Sequence, residues 1–188
     1  MYLPSLILAS QSPRRRELLT TAGIPFTVRV RSVEEVRAPD ETPEAYVRRL
    51  AREKAEAAVE GAAEIVLGAD TIVVLDGDVL EKPSNATDAF RMLTLLSGRE
   101  HTVITGICLR HARGAVVDAE TTRVRFARMD YREIEDYVAT REPMDKAGAY
   151  AIQGLGSKFV ERIEGCYFNV MGLPLALLYR HLKTLRKE

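Results

Sequence analysis

Residues 6–19 of this 188-residue chain have the sequence LILASQSPRRRELL, which predicts a buried strand, a polar turn and a helix. Ser12 suits the N-cap of that helix, and Pro13 suits its first position. Arginines then fill the first turn, where each opposes the helix dipole at a cost of about 0.3–1 kcal/mol. Because free N–H groups, hydroxyls and guanidinium groups together suit an anion, the stretch predicts either a phosphate site or an ordinary capped helix with solvated arginines.

The segments beyond this stretch alternate between helices and strands, and hairpins follow. Apolar spacing predicts helices at residues 43–59, 87–96, 130–139 and 175–187. Strands are predicted at residues 26–31, 65–67, 102–110 and 115–127, and hairpins at 72–80 and 159–170. This order predicts an α/β fold in which helices pack on a mixed sheet.

The composition limits the class of protein. With 46% hydrophobic residues, the chain is expected to form a single domain over residues 1–188, with room for two lobes. Lys and Arg number 27, as do Asp and Glu, which argues against a general nucleic-acid binder but not against a local basic pocket. Neither a membrane segment nor a secretory signal is expected. Two isolated cysteines, Cys108 and Cys166, favour free thiols and a cytoplasmic location.

A carboxylate follows the short apolar segment at residues 65–67, at Asp70. A carboxylate at that place is costly to bury unless it is paired or binds a metal, and ligands gather at strand ends in α/β sheets. The alternative is a turn aspartate that bonds its own backbone. Thr71 adds a hydroxyl directly beside this carboxylate.

Three further charged residues are candidates for a ligand site. Lys54 lies on the apolar side of its predicted helix, where its ammonium either snorkels to solvent or points into a pocket. Lys82 stands at the exit of a predicted strand, and Glu35 follows another strand as a candidate metal-facing carboxylate. Taken singly, a lysine in the position of Lys82 is more typical of a solvated surface.

Residues 144–157, MDKAGAYAIQGLGS, are rich in small side chains. Glycines permit close approach of a ligand to the backbone, although a bent strand explains them equally well. Lys146 stands near the start of the segment, and the amide of Gln153 offers the donors and the acceptor that suit a nucleobase edge. Because no P-loop, GxSxG or GxGxxG motif occurs, the three enzyme classes that use them are not supported.

Five segments of the chain share their order with one known family. They are SQSPRR at 10–15, GADT at 68–71, EKP at 81–83, DKAGAY at 145–150 and QG at 153–154. In these the chain, from about Leu6 to Leu178, resembles the Maf family of nucleoside triphosphate pyrophosphatases. The resemblance implies an elongated mixed sheet with flanking helices and two lobes around a cleft, as in the inosine triphosphate pyrophosphatases. It also implies a homodimer that hydrolyses a nucleoside triphosphate to the monophosphate and pyrophosphate with Mg²⁺ or Mn²⁺.

The resemblance further implies roles for individual residues. Asp70 matches the family's catalytic acidic residue, and it is expected to act as a base, a metal ligand or both. Three positions that separate the subfamilies, Arg14, Thr71 and Gln153, are similar to those of the branch that acts on dTTP and UTP. Glu35 and Asp70 are expected to hold the metal, and Arg16 is expected at the surface. The triphosphate is expected to be bound by Ser10, Arg14, Arg15, Lys54, Lys82 and Lys146.

Two alternatives to the dTTP and UTP assignment, and one extension of it, stay open at this point. The sister branch prefers 7-methyl-GTP and differs at only a few positions, and modified pyrimidine nucleotides are a further open substrate class. The family name is also tied to inhibition of septum formation, which implies a non-catalytic binding protein. A binding role does not explain why Asp70 accompanies a set of cationic residues.

Overall fold

A mixed sheet of seven strands lies at the centre of the fold in this computed structural model, which describes residues 3–187. The strands are β1 (Leu6–Leu8), β2 (Phe26–Val28), β3 (Val66–Leu75), β4 (Asp78–Leu80), β5 (Glu100–His111), β6 (Gly114–Phe126) and β7 (Val160–Glu164). Their order is β2-β1-β3-β5-β6-β7, and β4 pairs with β3. Strand β1 runs parallel to β2 and β3, whereas β4 pairs antiparallel with β3 and β7 pairs antiparallel with β6. The predicted mixed α/β sheet is therefore confirmed.

Six α-helices accompany the sheet in the part of the chain that the structure describes. They are α1 (Pro13–Thr21), α2 (Pro43–Ala57), α3 (Ala86–Leu96), α4 (Tyr131–Ala139), α5 (Tyr167–Val170) and α6 (Leu175–Lys187). Short 3₁₀ helices lie at Glu142–Asp145, Ala147–Ala149 and Leu155–Phe159. Within residues 3–187, no helix is long and apolar enough to cross a membrane.

Side-chain caps set the starts of α1 and α4, and the cap of α1 at Ser12 is the one predicted above. The Ser12 hydroxyl accepts a hydrogen bond from the Arg15 N–H at 3.5 Å, and Pro13 begins α1. Asp130 and Glu133 form a reciprocal capping box at the start of α4. These caps satisfy N–H groups that a helix leaves unpaired, so they explain why α1 and α4 begin where they do.

Contacts between Cα atoms divide the chain into two compact units. The first unit comprises residues up to 70, residues 105–120 and residues from 172 onward. In this unit α2 packs closely on the sheet at two glycines, Gly68 of β3 and Gly106 of β5. A Cβ at Gly68 would lie 2.0 Å from the Ala51 carbonyl oxygen, and one at Gly106 would lie 2.3 Å from that of Val47. Glycine is therefore required for α2 to approach the sheet this closely.

The second unit comprises residues 71–104 and 121–171. Its helices α3 and α4 pack on each other. Three rings, of His101, Phe126 and Tyr150, meet edge to face with centroids 4.7–5.4 Å apart. The His101 ring nitrogen Nε2 also lies 2.9 Å from the Tyr150 hydroxyl, so this buried cluster combines apolar packing with one polar contact.

Three sequence-based predictions of secondary structure need correction. The strand predicted at 26–31 is shorter, since β2 ends at Val28. The segments predicted as separate strands at 65–67 and 72–75 belong to one strand, Val66–Leu75, so Asp70 lies within β3 rather than just beyond a strand. The hairpin predicted at 159–170 is wrong, because β7 pairs with β6 and residues 167–170 are helical. Long-range hydrogen bonds from the buried Asn169 amide to the Val103 carbonyl and the Thr122 hydroxyl stabilise that helical turn.

Candidate functional site

Two carboxylates of the first unit meet at one ammonium group. Asp70 is only 8% exposed, and its Oδ1 accepts a hydrogen bond from Lys54 Nζ at 2.6 Å. The same nitrogen lies 2.8 Å from Glu35 Oε1. A buried carboxylate is costly without a partner, and Lys54 supplies that partner. Of the two arrangements that the sequence left open for Lys54, the structure therefore shows the ammonium directed inward.

The close approach of α2 to β3 brings Lys54 to Asp70. Lys54 lies between Ala51 and Ala55, whose backbone atoms would be within 2.7 Å of a Cβ at Gly68. Glu35 arrives from the segment between β2 and α2, and its backbone carbonyl accepts a hydrogen bond from the Tyr46 hydroxyl at 3.1 Å. Each charged group is thus placed by the packing of α2 on the sheet.

Arg15 is a buried cation that the protein itself holds in place. Its side chain donates from Nε to the Gly172 carbonyl at 2.8 Å, and from one terminal nitrogen to Ser10 Oγ at 2.9 Å and the Ala69 carbonyl at 2.8 Å. Burial lowers the pKa of this guanidinium, and the nearby Asp70 partly opposes that shift. Because Ala69 directly precedes Asp70, Arg15 fixes the backbone that presents the carboxylate.

The remaining residues of the opening motif differ in exposure. Ser10 is buried and accepts hydrogen bonds at its hydroxyl from Arg15 and from the Ser12 N–H. Arg14 is half-buried, whereas Arg16 is exposed as expected. We call the residues that these contacts join in the first unit the Asp70 cluster: Ser10, Arg15, Glu35, Lys54 and Asp70.

The donor set of the Asp70 cluster fits a hard divalent cation. Asp70 and Glu35 both reach the position of one positive charge, as the shared Lys54 nitrogen shows. Mg²⁺ is typically held by one or two carboxylates while substrate phosphates and water complete its shell. Among the described residues there is no group of three or more His, Cys, Asp or Glu side chains suited to a metal. The two carboxylates of the cluster could therefore supply part of the coordination shell of such a cation.

The candidate residues of the second unit lie on β3, after β4 and on one loop. Thr71 follows Asp70 along β3, and Lys82 is exposed just after β4 ends. Lys146 Nζ donates to the Glu142 carbonyl at 2.6 Å and pairs with Asp145 Oδ1 at 2.5 Å. Gln153 is exposed in a turn. A hydrogen bond of 3.1 Å from the Gly148 N–H to the Glu81 carbonyl joins this loop to the residue before Lys82.

Two residues that no sequence motif marks, Tyr137 and Glu142, organise this loop. We call residues 142–156 the Gln153 loop. The Glu142 carboxylate accepts hydrogen bonds from the Tyr137 hydroxyl at 2.8 Å, the Leu155 N–H at 3.0 Å and the Gly156 N–H at 3.2 Å. The one available signal was a tyrosine on the apolar face of the helix predicted at 130–139, because a buried hydroxyl requires a partner.

Comparisons with known proteins place the chain in one family. A family model described as Maf-like protein matches residues 5–185. A protein of Koribacter versatilis named dTTP/UTP pyrophosphatase is 53% identical over 95% of this chain and 93% of its own length. One of Anaeromyxobacter sp. with the same name is 56% identical over 91% of this chain and 84% of its own.

Solved structures support the fold alone. The Ham1 protein of Staphylococcus aureus superposes with a TM-score of 0.53 at 16% identity, covering 96% of this chain and 99% of that one. A HAM1 protein from Coxiella burnetii gives a TM-score of 0.51 at 17% identity, covering 98% of this chain and 99% of that one. The mixed sheet with flanking helices is thus shared with these proteins.

Proposed function

The chain belongs to the Maf family, and from that premise we propose that it hydrolyses dTTP and UTP to the nucleoside monophosphate and pyrophosphate. The names of its relatives, which are more than 50% identical over nearly the whole chain, support this substrate class. The observation that carries the proposal is the meeting of Asp70 and Glu35 at the Lys54 ammonium. The Lys54 ammonium suits the negative charge that develops when a phosphoanhydride breaks, and the two carboxylates suit a cation or the attacking water.

Cationic and hydroxyl groups are proposed to bind the triphosphate. Lys54 and Arg14 are the candidates in the first unit. The Lys54 ammonium is directed to Asp70, and the Arg14 side chain is half-buried on α1. Lys82 and Lys146 are the candidates in the second unit. We assign Arg15 and Ser10 a supporting part in the same site, because Arg15 already donates to two backbone carbonyls and to the Ser10 hydroxyl.

Asp70 and Glu35 are proposed to hold a divalent cation, Mg²⁺ or Mn²⁺. When bound, such a cation neutralises phosphate charge and lowers the pKa of a coordinated water. Asp70 is placed to accept a proton from the attacking water or to orient that water, and Lys54 is placed to leave the carboxylates and pair with phosphate oxygens. Replacement of Lys54 as their partner requires only a change in the rotamers of a flexible side chain.

Gln153, with Thr71 and Arg14, is proposed to select a pyrimidine base. The amide of Gln153 is exposed in a turn of the loop and offers both donors and an acceptor.

The resemblance to the family also implies a cytoplasmic homodimer. Sedimentation equilibrium of the purified protein would test the dimer.

Pyrophosphate release is the experiment that tests the proposed activity. Purified protein is incubated with dTTP, UTP, CTP or 7-methyl-GTP, with Mg²⁺ or with a chelator, and the products are separated by ion-exchange chromatography. We expect monophosphate and pyrophosphate from dTTP and UTP only when Mg²⁺ is present. Orthophosphate as the product, or faster turnover of 7-methyl-GTP than of both pyrimidine nucleotides, would contradict the proposal.

A further inference from the structure

Two side chains, Tyr137 near the end of α4 and Glu142 at the start of the 3₁₀ helix that follows, hold the loop on both sides of Gln153. The Tyr137 hydroxyl accepts a hydrogen bond from the Ala151 N–H at 3.2 Å, two residues before Gln153. Glu142 accepts from the N–H groups of Leu155 and Gly156, two and three residues after it. The hydrogen bond from Tyr137 to Glu142 joins the two halves at 2.8 Å. We call Tyr137 and Glu142 the clamp.

The clamp leaves little freedom to the segment that it encloses. Gly154 N–H donates to the Ala151 carbonyl at 3.4 Å, so residues 151–154 close as a turn with Gln153 in it. A Cβ at Gly154 would lie 2.4 Å from Glu142 Oε2, and one at Gly156 would lie 2.7 Å from the Tyr137 hydroxyl. The loop therefore packs directly against the clamp, and its two glycines permit that contact.

The chemistry of the clamp also favours a fixed arrangement. Burial opposes ionisation of Glu142, but the N–H groups of Leu155 and Gly156 and the Tyr137 hydroxyl outweigh it and hold the pKa of the carboxyl below its ordinary value. Burial, followed by the hydrogen bond to Glu142, raises the pKa of Tyr137, so its hydroxyl keeps its proton. A carboxylate that accepts from the backbone of a loop orders that loop.

We infer that Tyr137 and Glu142 are positioning residues for base selection, because they fix the backbone on both sides of Gln153. This inference rests on the proposed function, in which Gln153 contacts the base. The clamp itself does not touch the nucleotide. Its removal leaves Gln153 present but free to sample other orientations, which weakens discrimination between bases more than it weakens turnover.

A double-mutant cycle on substrate preference tests the clamp. Tyr137→Phe removes the hydroxyl, and Tyr131→Phe is the matched control on the same helix, since Tyr131 is 68% exposed and contacts Phe90 through its ring. We expect Tyr137→Phe to lower the ratio of kcat/KM for dTTP to that for 7-methyl-GTP by about tenfold. In a Gln153→Ala background the same change should leave that ratio unaltered. An equal loss in both backgrounds, or no loss in either, would overturn the proposal.

Hydrogen exchange provides a readout that does not depend on activity. Tyr137→Phe should increase exchange at the Ala151 N–H, and Glu142→Gln should increase it at Leu155 and Gly156, whereas the exposed control Glu135→Gln should change none of them. Unaltered exchange in both clamp variants would overturn the proposal. If Tyr137→Phe does not fold, Glu142→Gln carries the cycle. Failure of both to fold would assign the clamp to stability rather than selectivity and would also overturn it.

Failure of the proposed function gives a different result from failure of the clamp. If the wild type releases no pyrophosphate from dTTP or UTP, the substrate assignment is wrong. The cycle is then measured with the nucleotide that the wild type prefers against one that it discriminates. A clamp effect that depends on Gln153 in that assay supports the inference, and an effect independent of Gln153 overturns it.

Discussion

The carboxylates of Asp70 and Glu142 have contrasting partners. Asp70 meets an ammonium at the end of the long Lys54 side chain, which Glu35 shares. Glu142 meets backbone N–H groups of its own loop and one buried tyrosine hydroxyl. A lysine can move away when a ligand or cation arrives, whereas a backbone N–H cannot do so without unfolding the loop. A charge whose partner can move is available to a ligand, and a charge held by the backbone serves the fold.

The largest expected effect comes from the carboxylate with the mobile partner. Asp70→Asn should reduce kcat/KM for dTTP by about a thousandfold, because it removes the charge assigned to cation and water. The midpoint of urea unfolding should shift little, because Asn keeps an oxygen that can accept from Lys54. The control is Asp78→Asn, an exposed aspartate of β4. A fully active Asp70→Asn variant would remove Asp70 from the mechanism.

The buried Arg15 extends the comparison to cations, since the fold already uses its donors. Arg15→Met should lower the free energy of unfolding by about 3 kcal/mol, because the Ala69 and Gly172 carbonyls and the Ser10 hydroxyl lose a donor. The matched control is Arg16→Met, one residue along α1 and exposed. Urea unfolding followed by circular dichroism measures both. Equal stability of the two variants would show that the contacts of Arg15 do not support the fold.

Lys54 is the mobile cation of the pair, so its removal should affect turnover. Lys54→Met should lower kcat/KM for dTTP by about a hundredfold, because it leaves Asp70 without its partner and removes a phosphate ligand. Lys54→Arg keeps the charge and should recover part of that activity. Steady-state kinetics at several Mg²⁺ concentrations measures the effect. Wild-type kinetics in Lys54→Met would mean that the ammonium is only a structural counter-ion.

The smallest effect concerns His101, a buried side chain whose ring contacts the Tyr150 hydroxyl rather than a charged group on a flexible side chain. Burial lowers its pKa to about 4, and the side chain is 2% exposed. Between pH 6.5 and that value the unfolded chain binds a proton that the folded chain does not, so stability falls as the pH falls. From pH 6.5 to pH 5 the wild type should lose about 1.5 kcal/mol more than His101→Gln. Urea unfolding across this range measures the difference, and parallel curves for the two proteins would refute the assignment to His101.

Local signals in the sequence predict the regular elements well. The caps at Ser12 and Asp130 depend on groups within a few residues. The hairpin of β3 and β4 likewise follows from Asp76 and Gly77, which take positive φ angles of 52° and 92° in the turn. Such features need no knowledge of the rest of the molecule. The same holds for the start of α1 at Pro13 and for both ends of α6, which agree with the predicted positions.

Features that depend on distant partners were not predicted. The sequence suggested a strand end before Asp70, because burying a carboxylate within a strand is unfavourable until Lys54 is placed beside it. The role of Glu142 could not be predicted, because its backbone partners lie 13 and 14 residues further along the chain and no sequence pattern marks them. Of the Asp70 cluster, Ser10, Arg15 and Asp70 could thus be named from the family motifs, and Glu35 and Lys54 from their places relative to predicted elements. Its internal contacts, and the organisation of the Gln153 loop, required the fold.

The most direct test measures kcat/KM for dTTP and for 7-methyl-GTP in the wild type, Asp70→Asn and Gln153→Glu. If the Asp70 cluster carries the chemistry, Asp70→Asn should lower both values by a similar factor and leave their ratio unchanged. If the Gln153 loop selects the base, Gln153→Glu should lower the value for dTTP far more than that for 7-methyl-GTP, with little loss of stability. A changed ratio in Asp70→Asn together with an unchanged ratio in Gln153→Glu would contradict this division of roles.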